Sequence, residues 1–334
     1  MNVCFFGASV SEQNVNHSTN EVTGYVTAFV EEYVSNGFVV NKVTSGSNSI
    51  DDAGVIYTHK VISSKPDICI LDWCTPAPED CLDQSIDFIF YELLKNKILP
   101  IVLILPRADR RQSDTAIYHK LKNRSEDLGI PFWDFEYLFK KSDLKKILKD
   151  DVHTTPVGAK LYAEEIHHRL KCFNLTGFNY IANIANGNSI FSVVSPNVLK
   201  NSNKTKNILL KIKRKTLKNY RIKLFLEQRV GPWSSFINVY EFEENKKKYL
   251  HEKIIFDVWC WRERQCLKGM SNWIDIKPST TALKLEVNNK IPHYSNIADK
   301  ADFDSYDKHL RPKGDFYILL EGSEVEPEFE ISYL

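Results

Sequence analysis

The feature that most narrows the fold is a pair of unbroken apolar runs, Ile68-Cys69-Ile70-Leu71 and Ile101-Val102-Leu103-Ile104-Leu105. Each is short for a buried helix and has no polar face. Such a run suits a strand covered on both sides, as in the middle of a parallel sheet. The surrounding sequence fits that placement. Residues 3–6, 38–43, 67–73, 101–105 and 131–135 read as strands, and helical periodicity falls at 25–34, 53–62, 85–95, 116–128 and 156–170. In the first of these helices Val26, Phe29, Val30 and Tyr33 share one face. Strands alternating with helices of this length build βαβ units and a doubly wound parallel sheet.

From about residue 175 the helical periodicity stops. Short strand-like runs replace it at 190–194, 208–212, 222–226, 236–242, 254–261, 282–287, 316–320 and 329–333. Many strands separated by Gly, Pro, Asn and Lys turns predict an all-β sandwich or jelly roll. A chain of 334 residues is long for one compact domain. The sequence therefore predicts an α/β domain over 1–174 and an all-β accessory domain over 175–334, joined in the Asn-rich stretch 174–188.

Three short motifs fall where an α/β sheet presents its ligand edge. Gly7-Ala8-Ser9 follows the first strand directly, which places the serine at a strand-to-helix turn with backbone N–H groups beside it. Thr44-Ser45-Gly46-Ser47-Asn48 closes the second strand, and Gly46 lets a backbone N–H approach a substrate closely. Asp150-Asp151-Val152-His153 precedes Thr154-Thr155-Pro156-Val157-Gly158 and a helix. An aspartate three residues before a histidine in a turn reaches the imidazole Nδ1–H and leaves Nε2 free to take a serine proton. Taken singly, each motif is also an ordinary turn.

In their order and spacing the three motifs resemble the SGNH (GDSL-like) hydrolase superfamily, whose four blocks contribute Ser, Gly, Asn and His in chain order. Gly7-Ala8-Ser9 matches the nucleophile block, and Gly46 falls where the oxyanion glycine is expected. Asp150-x-x-His153 and the following Thr-Pro-x-Gly match the terminal block. The resemblance covers about residues 1–172 and implies a flavodoxin-like α/β/α fold. It also implies Ser9 as nucleophile, Asp150 and His153 as its activating dyad, and the N–H groups of Ser9 and Gly46 as an oxyanion hole. One block departs from the pattern. Where the superfamily carries Gly-x-Asn-Asp, this chain reads Cys74-Thr75-Pro76-Ala77, so Pro76 stands in the asparagine's place with no donor. Losing one such donor costs about 10²–10³ in rate. Asn48 is the preferred stand-in, with Thr75 and the Trp73 indole as other candidates.

Those implications lead to three expectations. The first is a serine esterase or deacetylase acting on O-acyl, chiefly O-acetyl, carbohydrate. The second is an O-acetyltransferase that takes acetyl-CoA as co-substrate. The third is a non-catalytic carbohydrate-binding or assembly protein that keeps the fold. No cofactor is implied beyond that co-substrate.

Other features exclude more than they assign. The 9 histidines show no HxH or HExxH grouping, and His167 and His168 point to different helix faces, so no metal site is expected. A formal net charge of +1 gives no general pull on nucleic acid. The basic residues of 200–223 read as the outer faces of strands, without the aromatic interleaving of a single-strand binder. The loop Pro106-Arg107-Ala108-Asp109-Arg110-Arg111 reads as a solvated charged loop, with an anionic-substrate site as its alternative. Trp233, Trp259, Trp261 and Trp273 read as core residues before a sugar platform. The 7 cysteines form no regular framework, the N-terminus has no basic leader, and no window nears the roughly 18 apolar residues of a membrane span. The expected location is the cytoplasm, and the partner a small-molecule or saccharide ester.

Overall fold

A computed structural model describes residues 1–14, 19–46, 48–75, 79–174, 191–194, 207–213, 219–230, 236–244, 246–254, 264–288, 315–322 and 328–333. The chain divides into two compact units, Met1–Ser189 and Ile190–Leu334. The boundary expected at 174/175 opens a stretch, 175–190, that lies outside the described residues.

In the first unit, strands β1 (Asn2–Gly7), β2 (Val39–Thr44), β3 (Ile68–Asp72), β4 (Leu99–Ile104) and β5 (Phe132–Asp134) form one parallel sheet. Their order is β2-β1-β3-β4-β5. This is the doubly wound, flavodoxin-like order, and the winding reverses between β1 and β3, whose carboxyl ends are where such sheets hold ligands. The two apolar runs become β3 and β4, buried at every position.

The helices are α1 (Ser9–Glu12), α2 (Tyr25–Tyr33), α3 (Val55–Ser64), α4 (Asp83–Lys95), α5 (Ala116–Leu128), α6 (Lys141–Ile147) and α7 (Pro156–Cys172). Alternate strand residues Val3, Phe5, Ile68, Ile70, Ile101 and Leu103 pack into one core with Tyr25, Phe29, Tyr162 and Ile166 from α2 and α7. Each such side chain contributes about 1.5–3 kcal/mol by leaving water. On the opposite face Phe6 meets Trp73 edge to face at 5.2 Å. A π-type turn, Ile50–Gly54, leads into α3, and the lysine-bearing α6 adds a helix for which the sequence showed no apolar period.

The second unit contains two antiparallel sheets. One is ordered β10-β9-β13-β7-β15, formed by Lys246–Ile254, Phe236–Glu243, Thr280–Asn288, Asn207–Ile212 and Phe329–Tyr333. The other is β11-β8-β14-β6, formed by Arg264–Gly269, Tyr220–Val230, Phe316–Glu321 and Phe191–Val194, with β12 (Ile274–Ile276) on β8. One core draws on both sheets: Leu210 and Leu283 from the first meet Ile222, Leu224 and Ile318 from the second. The unit is a β-sandwich. Strands β10, β11 and β12 were not read from the sequence, and of the strand expected at 254–261 only Ile254 is described, as the end of β10. Of the four tryptophans weighed, Trp273 is described; it stacks on Phe191 at 6.0 Å with Arg221 above it.

Candidate active site

The turn that carries His153 is built from its own backbone. Leu148 and Thr154 form a bridge, and Lys149 N donates to His153 O at 2.9 Å, closing a loop around Asp150. Asp150 Oδ1 accepts the N–H groups of Val152 at 3.0 Å and His153 at 2.7 Å. The imidazole Nδ1 lies 3.1 Å from Asp150 Oδ1 and 3.0 Å from Oδ2. A carboxylate only accepts, so Nδ1 is the donor, and in the neutral ring Nε2 keeps its lone pair. Burial opposes the Asp150 charge, but the two backbone bonds and the imidazole outweigh it and hold the carboxyl below its ordinary value. The structure thus joins Asp150 and His153 as the sequence proposed.

The Thr-Pro-x-Gly run fixes where that turn ends. The Thr155 hydroxyl accepts Gly158 N at 3.2 Å and caps α7, with Pro156 in its first turn. Gly158 has no Cβ for a reason: a Cβ there would sit 2.1 Å from the Ile147 carbonyl oxygen.

Ser9 opens α1, a helix of four residues with no side-chain cap. So short a helix has little stability of its own. Its position is set by three attachments. The buried Ser11 hydroxyl donates to Asp72 Oδ2 at 2.9 Å. Lys42 Nζ donates to Glu12 O at 3.0 Å. Gln13, whose N–H bonds back to Ser9 O at 3.0 Å, reaches Thr154 beside His153: its Nε2 donates to Thr154 O at 2.9 Å and its Oε1 accepts Thr154 N at 3.2 Å. The Ser9 turn and the His153 turn are therefore bolted together at the carboxyl edge of the sheet. Among the described residues no hydrogen bond reaches Ser9 Oγ.

Gly46 also lies at this edge, because Ser45 N donates to Gly7 O at 3.1 Å. Asn48, expected to turn its amide toward an oxyanion, spends it locally instead. Its Nδ2 donates to Ser45 Oγ at 2.8 Å and Gly46 O at 3.2 Å, so it shapes the Gly46 turn. Thr75 Oγ1 is bound to Asp72 Oδ1 at 2.5 Å, and the Trp73 indole N–H is buried away from solvent. Residues 76–78, with Pro76, lie outside the described residues.

The arginine loop after β4 adjoins the dyad, since Ala108 N donates to Asp151 O at 2.9 Å. Arg107 works as a brace: it donates to Thr75 O at 2.7 Å and grips Asp109 with two bonds of 2.8 Å. Arg110 pairs with Glu79 at 3.3 Å. These residues wall a cleft of about 780 Å³ whose other side carries Tyr137 and Phe139. Acidic Asp109, Asp114 and Glu136 line it as well, so it is mixed in charge.

Sequence reasoning passed over Gln13, Ser11, Lys42 and Asp72. One signal was present: a lone acid closing the apolar run Ile68-Cys69-Ile70-Leu71-Asp72 is out of place in a strand buried on both faces.

No family model matches the sequence, and no curated protein does. Solved structures do resemble it. A two-domain esterase, CEX, active on acetylated mannans, aligns at TM-score 0.55 and 11% identity over 97% of this chain and 92% of that one. An acetyl xylan esterase, AlAXEase, aligns with 51% of this chain and 100% of its own at 18% identity and TM-score 0.42. The psychrotrophic esterase EstA from a Pseudoalteromonas species covers 51% and 97% at 10% identity and TM-score 0.41. The parallel sheet matches the SGNH fold, and the mannan-active esterase, like this chain, has two domains.

Proposed function

We propose that the N-terminal unit is a serine-dependent esterase that removes acyl groups, chiefly O-acetyl, from carbohydrate. The observation that carries this reading is the Asp150–His153 pair, tied through Thr154 and Gln13 to the turn of Ser9. His153 Nε2 takes the Ser9 hydroxyl proton as Oγ attacks the ester carbonyl. The N–H groups of Ser9 and Gly46 receive the oxyanion, with Asn48 bracing the Gly46 turn. Collapse breaks the bond to the sugar oxygen, which leaves with the proton from His153. Water, deprotonated by the same imidazole, then attacks the acyl-serine and releases the carboxylic acid and free Ser9. No cofactor takes part in this cycle.

The fold shared with an esterase active on acetylated mannans supports carbohydrate as the alcohol side of the ester. The cleft of the arginine loop, which Ala108 joins to the His153 turn, carries Tyr137 and Phe139 and suits the face of a sugar ring, although neither Ser9 nor His153 lines it. Fluorophosphonate labelling tests the nucleophile: wild type is expected to take the label and Ser9→Ala to lose it. Equal labelling of both, or none of wild type, sinks the reading. Acetate release from acetylated mannan without an added acceptor marks hydrolysis. Acetyl-CoA turnover that requires a sugar would instead mark transfer.

A further inference from the structure

Asp72 closes a strand that is otherwise apolar, and it is fully buried. Its partners among the described residues are all hydroxyls: Thr75 Oγ1 at 2.5 Å, Ser11 Oγ at 2.9 Å and, more weakly, Tyr25 OH at 3.4 Å. Tyr25 OH also lies 2.7 Å from Ser11 Oγ. A buried carboxylate without a counter-charge is unfavourable. Burial pushes this carboxyl up to about 7, against the pull of the three hydroxyls. The ionisable groups facing it are acids too. Tyr25 from α2, Tyr162 from α7 and the Cys74 thiol beyond β3 are each pushed upward, by burial and then by the Asp72 charge. An asparagine would meet the same hydroxyls without that penalty, so packing alone does not account for an acid here.

The place of the network is informative. It lies directly under α1, and Gly7 makes room for it: a Cβ on Gly7 would stand 2.6 Å from Ser11 Oγ and 2.7 Å from Asp72 O. A four-residue helix without a cap is oriented by its outside attachments, and of these the one from inside the core is made by its third residue, Ser11.

We propose that Asp72 is the positioning residue of the nucleophile: through the Ser11 hydroxyl it locks the one-turn helix that presents Ser9 to His153. The role rests on the esterase reading for its chemistry and on the buried network for its geometry.

Asp72→Ala, Asp72→Asn and Ser11→Ala are compared with wild type in three measurements. These are the fluorophosphonate labelling rate, kcat and KM on an aryl acetate, and amide hydrogen exchange across residues 8–13. Misplacing a nucleophile slightly slows chemistry roughly ten- to a hundredfold. Ser11→Ala and Asp72→Ala are expected to label and turn over more slowly by about that factor, with KM nearly unchanged. Asp72→Asn, which keeps an acceptor oxygen, recovers part of the loss. Exchange at 8–13 rises in all three while β4 stays protected. An unchanged labelling rate in Ser11→Ala, or unchanged exchange at 8–13, overturns the role. If wild type takes no label, the esterase reading fails and exchange alone decides: faster exchange upholds the lock and unchanged exchange overturns it. Should Asp72→Ala not fold, Ser11→Ala removes a single hydroxyl and carries the same comparison.

Discussion

The His153 turn closes on itself, whereas the Ser9 turn is held from outside. Around His153 the bonds of Asp150 are local: it takes two backbone N–H groups and the imidazole within one loop, while Ala108, Gln13 and Thr23 tie the flanks of that loop from outside. Around Ser9 they come from distant parts of the chain, with Asp72 61 residues away from Ser11 and Thr154 141 residues away from Gln13. A self-closed turn keeps its shape when its surroundings shift. A turn held from outside inherits every displacement of the core beneath it, so the serine is the more fragile half of the pair.

The largest expected effect breaks the local half. His153→Ala removes the proposed base but not the loop, whose bonds run through backbone atoms and Asp150. Turnover is expected to fall about 10³-fold or more while unfolding stays cooperative. Activity above a tenth of wild type would show that the imidazole is not the base.

The second prediction concerns the buried carboxyl and its pH dependence. Asp72 in the folded chain holds its proton up to about 7, well above the ordinary 3.8. Between those values the folded state binds the proton and the unfolded state does not. The stability it contributes is full below about pH 4 and is lost as pH rises through 7, by about 4 kcal/mol at most. Asp72→Asn lacks this titration. Its Tm relative to wild type should therefore climb between pH 5 and pH 8, and a flat difference would mean that Asp72 is ionised throughout.

A third substitution presses on the outside-held half through sterics. Gly7→Ala drives a methyl against the Asp72 carbonyl and Ser11, an overpacking that costs about 1–3 kcal/mol. Thermal unfolding measures it, and a Tm equal to wild type would show that β1 yields freely there.

The smallest effect separates the two turns. Gln13→Ala deletes the bolt to Thr154 and costs about 1 kcal/mol, with a fewfold to tenfold drop in labelling and little change at the His153 loop. If the drop equals that of His153→Ala, Gln13 does more than join the turns.

What the sequence revealed follows the same division between near and far. The apolar runs of β3 and β4 and the Asp150-x-x-His153 spacing are local, and they announced the parallel sheet and the Asp150–His153 hydrogen bonds directly. The Ser11–Asp72 and Gln13–Thr154 bonds depend on which strands become neighbours, and spacing along the chain does not encode that. Asn48 misled for a related reason: its amide is oriented by Ser45 and Gly46 within a turn whose shape the residue types alone do not fix. In the second unit, β7 and β9 alternate buried and half-buried residues and were readable. β10 was hidden by its opening Lys-Lys-Lys, which masks the alternation of an edge strand.

Those lysines have a consequence for the protein in a crowded solution. An edge strand offers a row of unpaired backbone groups onto which another chain's strand can add. β10 is the outer strand of its sheet among the described residues, and a second copy laid parallel and in register would bring Lys246, Lys247 and Lys248 against their own kind, although Lys247 and Lys248 already face Glu286 and Glu241. Replacing Lys246 with threonine would weaken that like-charge repulsion while leaving the Lys247–Glu286 and Lys248–Glu241 pairs in place.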